Sequence, residues 1–213
     1  MSKKDIVTAA VIVAHPDDEA LWAGGTILSY PNWHWTVIAL CRGSDPDRAP
    51  KFQRVLQKLG ARGNIDDLDD GPEQLPLAEL DVQQAILSLL PKTSFDLILT
   101  HSPYGEYTRH LRHEETSRAV AALWSKESIS TTDLWMFAYE DGEKRYLPRP
   151  IKTAHRLNKI PEIIWQQKYR IITELYGFAA ESFEARTTPR EEAFWCFRSA
   201  DEFQKWKERG EDQ

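Results

Sequence analysis

The most constraining feature of this sequence is an alternation of short apolar runs with longer amphipathic segments. The runs Val7–Ala14, Thr36–Cys41 and Phe95–Thr100 are short and nearly free of charge, which indicates strands that are covered on both faces. The segments between them place apolar residues three and four positions apart, which predicts helices. This alternation predicts an α/β, Rossmann-like fold: a doubly wound, mostly parallel sheet with helices on both faces.

The predicted elements follow one another along the chain without a recognisable linker. Helices are expected at residues 18–30, 52–59, 77–90, 114–124 and 160–175, and a further strand at 134–139. The stretches 45–50, 66–76 and 140–150 are rich in Pro, Gly and charge, which is typical of surface loops. We therefore expect residues 1–213 to form a single domain.

Charge, cysteine content and hydropathy restrict the class of protein. Lys and Arg total 27 against 33 Asp and Glu, a net charge of −6, which argues against binding to nucleic acid through general basic charge. Two cysteines, Cys41 and Cys196, cannot form a disulfide framework. No apolar stretch reaches ~18 residues, so no membrane span is expected. Because no targeting segment stands out, we expect a cytoplasmic protein, and its oligomeric state is left open.

Side chains that can bind a metal ion or transfer a proton cluster where the predicted strands end. Four of the six histidines and two adjacent aspartates come after the Val7–Ala14 strand or the Phe95–Thr100 strand. Because the carboxyl ends of parallel strands meet at one edge of a sheet, where such sheets bind ligands, we expect a shared site. The group consists of His15, Asp17, Asp18, His101, His110 and His113.

The spacing within this group predicts a catalytic divalent-metal site. His15 and Asp18 are three residues apart, as are His110 and His113, and side chains at this spacing converge in a tight turn or a first helical turn. A His/Asp/His set with one open position is typical of catalytic zinc. Asp17, beside the ligands, is then in place to accept a proton from a water.

Three motifs of the chain together carry a family resemblance. They are Val11–Glu19 at the end of the first strand, Arg48-x-x-x-Phe52 continuing to Leu59-Gly60, and Gly105-Glu106-Tyr107 followed by His110-Leu111-Arg112-His113. They resemble, in that order, the Ala-His-Pro-Asp-Asp-Glu signature, the Arg-x-x-Glu-Phe…Leu-Gly helix and the Gly-Glu-Tyr-Gly-His-Pro-Asp-His segment of the LmbE/PIG-L family of zinc-dependent de-N-acetylases. The similarity spans residues 8–124 and is looser in the C-terminal part.

The resemblance implies a role for each residue of the cluster. The three metal ligands of the family match His15, Asp18 and His113, which would hold Zn²⁺ or another divalent ion such as Fe²⁺. The general base matches Asp17. The histidine that stabilises or protonates the tetrahedral intermediate matches His110.

Three further residues are expected around the substrate. Arg48 matches a family residue near the substrate pocket. Asp45 and His101 follow predicted strands, and we predict that both contact substrate; the alternatives are loop capping for Asp45 and support of the metal ligands for His101. The main departure from the family is Arg112, which stands where the family has an Asp that orients the other His and which cannot accept a hydrogen bond.

The resemblance implies a metal-dependent hydrolase that removes an N-acetyl or similar N-acyl group from a sugar-containing small molecule, giving acetate and a free amine. The expected partner is an N-acetylated sugar conjugate, not nucleic acid. The alternatives are a metal- or sugar-binding member with little or no activity, motivated by Arg112, and a hydrolase of a non-sugar amide. A nucleotide-dependent Rossmann enzyme is disfavoured, because His-Pro-Asp-Asp occupies the turn where a glycine fingerprint would approach pyrophosphate.

Overall fold

A seven-stranded sheet forms the centre of the computed structural model, which describes residues 6–107 and 110–210. In chain order the strands are β1 (Thr8–Val13), β2 (His34–Cys41), β3 (Arg62–Leu68), β4 (Ser94–Thr100), β5 (Ser130–Phe137), β6 (Tyr139–Glu140), β7 (Arg149–Pro150), β8 (Arg156–Lys159) and β9 (Glu191–Phe197). The sheet has the order β3-β2-β1-β4-β5-β9-β8, and β6 pairs with β7 separately. Strands β1 to β5 are parallel, whereas β9 pairs antiparallel to β5 and β8. The predicted α/β, mostly parallel fold is confirmed.

Helices cover both faces of this sheet. They are α1 (Asp18–Ser29), α2 (Arg48–Leu59), α3 (Glu79–Leu89), α4 (Leu111–Ser125), α5 (Glu162–Arg170), α6 (Phe183–Thr187) and α7 (Ala200–Arg209), and a π-helical segment, Ile171–Leu175, continues α5. In β1, Val11 and Val13 pack into the core on the side of α1 and α2, whereas Ala10 and Ile12 pack on the side of α3 and α4. Because both faces are buried, β1 is apolar without alternation. No helix of the described chain combines the length and apolarity needed to span a bilayer.

The differences from the predicted elements have local causes. Helix α2 begins at Arg48 rather than at Phe52, because the Asp45 carboxylate accepts the Arg48 N–H at 2.9 Å and supports the first turn. The helix expected at 160–175 is α-helical only to Arg170. Strand β3 extends to Leu68 into a predicted loop; it lies at a sheet edge, where polar residues are tolerated. The sequence patterns do not predict β8, β9 or α7.

The order of the strands places a crevice between β1 and β4. These strands are adjacent, but α1 leads from β1 towards β2, whereas α4 leads from β4 towards β5 on the other side. Ligands bind at such topological switch points, beyond the carboxyl ends of the strands. His15 and Asp18 follow β1 directly, and His101 follows β4, so the fold brings the predicted cluster to this point.

A buried ion pair ties the C-terminal strand β9 to helices α1 and α5. Lys168 Nζ lies 2.6 Å from Glu192 Oε1, and neither side chain is exposed. The Glu192 carboxylate also accepts the backbone N–H groups of Gly25 and Thr26 at 2.7 Å each. A Cβ at Gly25 would lie 2.9 Å from Glu192 Oε1, so this approach requires glycine. Helix α1, which begins at Asp18, is thereby held to strand β9.

Replacement of Lys168 by Met is expected to lower the free energy of unfolding by about 3–5 kcal/mol, because the Glu192 charge stays buried without its cation. The matched control is Lys152→Met, which removes the exposed partner of the adjacent Glu191. That change is expected to cost below about 1 kcal/mol. Urea unfolding of both variants measures the difference, and equal losses would show that the buried pair has no special weight.

Candidate metal centre and active site

Three side chains place one potential ligand atom each at the corners of a nearly equilateral triangle. Asp18 Oδ2 lies 3.2 Å from His15 Nδ1 and 3.4 Å from His113 Nε2, and the two ring nitrogens are 3.3 Å apart. Around a tetrahedral zinc ion, ligand atoms at ~2.0–2.1 Å from the metal are about 3.3–3.4 Å from one another. The residues present therefore fit a divalent cation.

The turn after β1 determines the directions of His15 and Asp18. Pro16 restricts the backbone between them. Asp18 Oδ2 accepts the backbone N–H of His15 at 2.9 Å, and Asp18 Oδ1 accepts the indole N–H of Trp22 at 3.2 Å. Both carboxylate oxygens are therefore held before any cation binds.

The charge of Asp18 is stabilised by its neighbours. Burial alone would raise the pKa of Asp18, but the imidazoles of His113 and His101 outweigh burial and hold the pKa well below its usual range. The carboxylate is therefore ionised, which is the state that a metal ligand requires.

Glu106 orients His113 from beneath the triangle. Its Oε2 lies 2.6 Å from His113 Nδ1, and its Oε1 accepts the N–H of Ser102 at 3.0 Å. Burial would raise the pKa of Glu106, yet the neighbouring imidazoles of His101 and His113 lower it to about 2. A proton on His113 Nδ1 that points at this carboxylate leaves the Nε2 lone pair towards Asp18. Glu106 belongs to the matched Gly-Glu-Tyr motif, but the sequence alone does not assign it a role.

His101 lies under the site rather than in a substrate pocket. Its side chain is fully buried, Nε2 accepts the backbone N–H of Ala14 at 3.0 Å, and Nδ1 lies 3.0 Å from Glu106 Oε2. Both ring nitrogens are occupied by the protein. The substrate contact of His101 stays a prediction, and these contacts favour its alternative, support of the proposed metal ligands.

Asp17 stands beside the triangle in a strained backbone conformation. Its φ is 116°, a region that residues other than glycine rarely adopt. The Asp17 N–H donates to Glu19 Oε2 at 3.0 Å, and Glu19 Oε1 accepts the Tyr176 hydroxyl at 2.6 Å. Tyr176 directly follows the π-helical segment Ile171–Leu175, a local widening that is frequent at functional sites. Glu19 and Tyr176 thus hold the turn that places Asp17 beside the triangle.

The surroundings of Asp17 favour its protonated form more than water would. Burial, and after it the charge of Asp18, raises the pKa of Asp17 well above its usual range, although Arg48 opposes this. Arg48 Nη1 lies 3.4 Å from Asp17 Oδ2. A carboxylate with a raised pKa is suited to accept a proton near neutral pH.

His110 packs against the two histidines of the triangle. Its ring centroid lies 4.6 Å from that of His15 and 4.3 Å from that of His113. Burial, together with the charges of His113 and His15, lowers the pKa of His110 to about 3, so that the ring is neutral. Its Nδ1 is buried and has no hydrogen-bond partner among the described residues.

A pocket of about 290 Å³ opens above the triangle. Five of the eight predicted site residues line it, and His113 lies below its floor. The lining consists of His15, Pro16, Asp17, Asp18, Leu21, Arg42, Arg48, Asp70, Tyr107, His110, Phe183 and Glu184. The substrate contact of Asp45 stays a prediction: this residue does not line the pocket, and its Oδ1 accepts the N–H groups of Asp47 and Arg48, which supports the loop-capping alternative.

Asp70 is one of the site residues that sequence reasoning misses. Its Oδ1 lies 3.4 Å from His15 Nε2, and its Oδ2 lies 2.6 Å from Arg42 Nη2. Asp70 falls in the stretch 66–76 that was expected to be a surface loop, and no motif marks it. The available signal is positional: the acidic run 66–70 spans the carboxyl end of β3, which is parallel to β2.

Enzymes with two types of reaction share this fold. N,N′-diacetylchitobiose deacetylase from Pyrococcus horikoshii, in complex with its inhibitor MPG, has a TM-score of 0.66 at 16% identity and covers 92% of this chain and 85% of its own. The 4-carboxy-2-hydroxymuconate hydratase of Pseudomonas putida has a TM-score of 0.58 at 14% identity, with coverage of 90% and 96%. At these identities the likeness establishes the fold alone.

The sequence comparisons are more specific about the family. An uncharacterised protein of Acanthamoeba polyphaga mimivirus is 23% identical over 185 residues, which are 79% of this chain and 75% of that protein. Residues 10–124, more than half of the chain, match the sequence model of the family described as PIG-L, GlcNAc-PI de-N-acetylase. This match covers all three motifs on which the resemblance was based. The chain therefore belongs to the PIG-L (LmbE) family of de-N-acetylases.

Proposed function

We propose that this protein is a divalent-metal-dependent hydrolase that removes the N-acetyl group of a sugar-containing small molecule, giving acetate and a free amine. The observation that carries the proposal is the triangle of His15, Asp18 and His113 with Asp17 beside it at a pocket. The family match and the deacetylase among the structural neighbours support the same reaction. We also propose that the chain acts as one domain, because strands from both ends join one sheet.

His15, Asp18 and His113 are the residues that would hold the cation. Two imidazoles and one carboxylate suit Zn²⁺, and the same set accommodates Fe²⁺. Three protein ligands leave coordination positions for water and substrate. When bound, the cation supplies Lewis acidity, which makes a neighbouring water more acidic and polarises an amide carbonyl.

Asp17 accepts the proton of the attacking water in this proposal. Its carboxylate lines the pocket next to two of the ligands, and its raised pKa suits proton transfer near neutral pH. The proton then passes from Asp17 to the leaving nitrogen, so that the amine departs neutral and the acyl group leaves as acetic acid, which loses its own proton to solvent to give acetate. The hydrogen bond from the Asp17 N–H to Glu19 keeps this carboxylate in place during both transfers.

His110 is assigned to the amide oxygen as its negative charge develops. Its ring lies against both metal-ligating imidazoles, and its Nδ1 has no partner within the described chain. A neutral imidazole offers one N–H donor, which stabilises an oxyanion by a hydrogen bond. This role agrees with the stabilising function that the resemblance implies for this position.

The pocket composition suits a sugar unit. Arg42 and Arg48 supply donors, Glu184 supplies an acceptor, and Tyr107 and Phe183 supply aromatic rings. Sugars combine apolar faces, which pack on aromatic rings, with hydroxyl groups that bond to charged side chains. The pocket volume of about 290 Å³ is near the lower end of the usual range for small-molecule sites, ~300–1,000 Å³. The pocket therefore fits a single acylated sugar rather than a whole conjugate.

Two alternatives differ from this proposal in a measurable outcome. A binding member would hold metal and sugar without releasing acetate, and a hydrolase of non-sugar amides would act only on those amides. Arg112, which motivates the first alternative, donates to the carbonyl oxygens of Asp69 and Leu75 rather than to a residue of the triangle. The structure therefore gives no reason to expect that Arg112 blocks catalysis.

The zinc-loaded wild-type protein is expected to release acetate from N-acetylglucosamine conjugates. Asp17→Asn is expected to retain the metal but to lose roughly 10²–10⁴-fold in kcat, because the proposed base is removed. The control is Asp47→Asn, an exposed carboxylate at the same sheet edge, which should behave as wild type. Acetate assays and elemental analysis measure both properties. Near-normal turnover of Asp17→Asn would exclude the assigned base, and stoichiometric metal without acetate from any N-acetylated sugar would favour the binding member.

His113→Ala is expected to lose the bound metal and all acetate release, because one corner of the triangle disappears. His155→Ala is the matched control, since His155 is exposed and bonds to the backbone of Cys196. Elemental analysis after dialysis measures the metal content. One equivalent of zinc in purified His113→Ala would mean that the cation sits elsewhere.

A further inference from the structure

Arg112 is buried but directed away from the metal triangle. It is 1% exposed, and its guanidinium donates from Nε to the Asp69 carbonyl at 2.6 Å, from Nη2 to the Leu75 carbonyl at 2.9 Å and from Nη1 to Glu115 Oε2 at 2.6 Å. A buried guanidinium is tolerated only where its N–H groups are engaged in this way. Arg112 therefore anchors two points of the segment that follows β3.

The same helix anchors that segment at a third point. Glu115, one turn after Arg112 on α4, accepts the N–H of Leu77 at 2.9 Å through its other oxygen. Residues 69–77 form no helix or strand, so these contacts from α4 define the course of the segment. Because His113 also belongs to α4, the loop and one metal ligand are positioned by a single element.

The segment 69–77 places the Asp70 side chain next to His15, on the side of the ring that faces away from Asp18. The side chain of Asp70 is 7% exposed, and its Oδ1 lies 3.4 Å from His15 Nε2. The carboxylate is held by Gln74 Nε2 at 3.0 Å and by Arg42 Nη2 at 2.6 Å. His15 Nε2 is buried and has no hydrogen bond within the described chain, so Asp70 is the anionic group that the protein provides for it.

A metal-ligating imidazole needs an acceptor on its second nitrogen, because a proton held there leaves the first lone pair free for the metal. Glu106 supplies such an acceptor to His113. Asp70 lies on the corresponding side of His15, with its Oδ1 at 3.4 Å from Nε2, whereas Nδ1 of His15 faces Asp18. In this chain the carboxylate that faces His15 comes from a segment that Arg112 holds through two backbone carbonyls.

We propose that Asp70 and Arg112 are positioning residues of the metal site: Arg112 fixes the 69–77 segment so that the Asp70 carboxylate orients the ring of His15. The inference rests on the proposed function only in its assignment of His15 as a metal ligand. Neither residue is expected to react with substrate.

The affinity of the purified protein for Zn²⁺ alone, measured by competition with a chromophoric chelator, tests this inference without any substrate. Asp70→Asn keeps the size of the side chain, and it is expected to weaken zinc binding by about 10–100-fold. Glu73→Gln removes the same charge from an exposed position of the same segment, and it should bind zinc as wild type does. Circular dichroism of the metal-free variants checks that both are folded.

A double-variant cycle then separates the two residues. Arg112→Lys retains a buried positive charge beside Glu115 but loses the guanidinium N–H groups that reach the carbonyls of Asp69 and Leu75. We expect this change to weaken zinc binding in the wild-type background. In the Asp70→Asn background it should have little further effect. Two results would overturn the inference while leaving the proposed function intact. One is a zinc affinity of Asp70→Asn within twofold of wild type. The other is an effect of Arg112→Lys on zinc affinity that is as large in Asp70→Asn as in the wild-type background. A wild-type protein that binds no zinc overturns both.

Discussion

The contact of Asp18 with the imidazoles of His15 and His113 is the interaction on which the rest of the site depends. One ring comes from the same turn as Asp18, and the other comes from a helix almost a hundred residues later in the chain. Only the switch point between β1 and β4 brings these segments together. Two imidazoles and one carboxylate that converge in this way can bind a divalent cation, which takes the place of the protons on the ligand atoms.

Carboxylates outside the triangle preorganise it. Glu106 faces the outer nitrogen of His113, Asp70 faces that of His15, and Glu19 accepts the N–H of the strained Asp17. Each of these groups acts on one functional residue and comes from a different segment of the chain. Such support holds the proposed ligands and the proposed base in one geometry, so that little reorganisation is needed when a substrate binds.

The sequence predicts the parts of this arrangement that are local. The apolar run of β1 and the following His-Pro-Asp-Asp turn are contiguous, so both the strand and the cluster are readable from residue order. A position after a strand indicates the edge of the sheet but not the depth of the side chain. Residue order therefore does not show that His101 is fully buried or that Asp45 caps the start of α2.

What the sequence does not predict depends on contacts between distant residues. Strand β3 is polar because it is an edge strand, and its pattern resembles a loop. The roles proposed for Asp70 and Arg112 depend on the packing of the segment after β3 against helix α4, and residue order does not show this packing. Strand β9 and the Lys168–Glu192 pair lie outside the matched residues 10–124, where the family resemblance is loose, and their pairing becomes visible only in the fold.

The most direct test of the central claim is anomalous diffraction at the zinc absorption edge from crystals of the zinc-loaded protein. A single peak is expected at ~2.0–2.2 Å from His15 Nδ1, Asp18 Oδ2 and His113 Nε2. A peak at another group of residues, or none at this triangle despite one bound zinc per chain, would contradict the account.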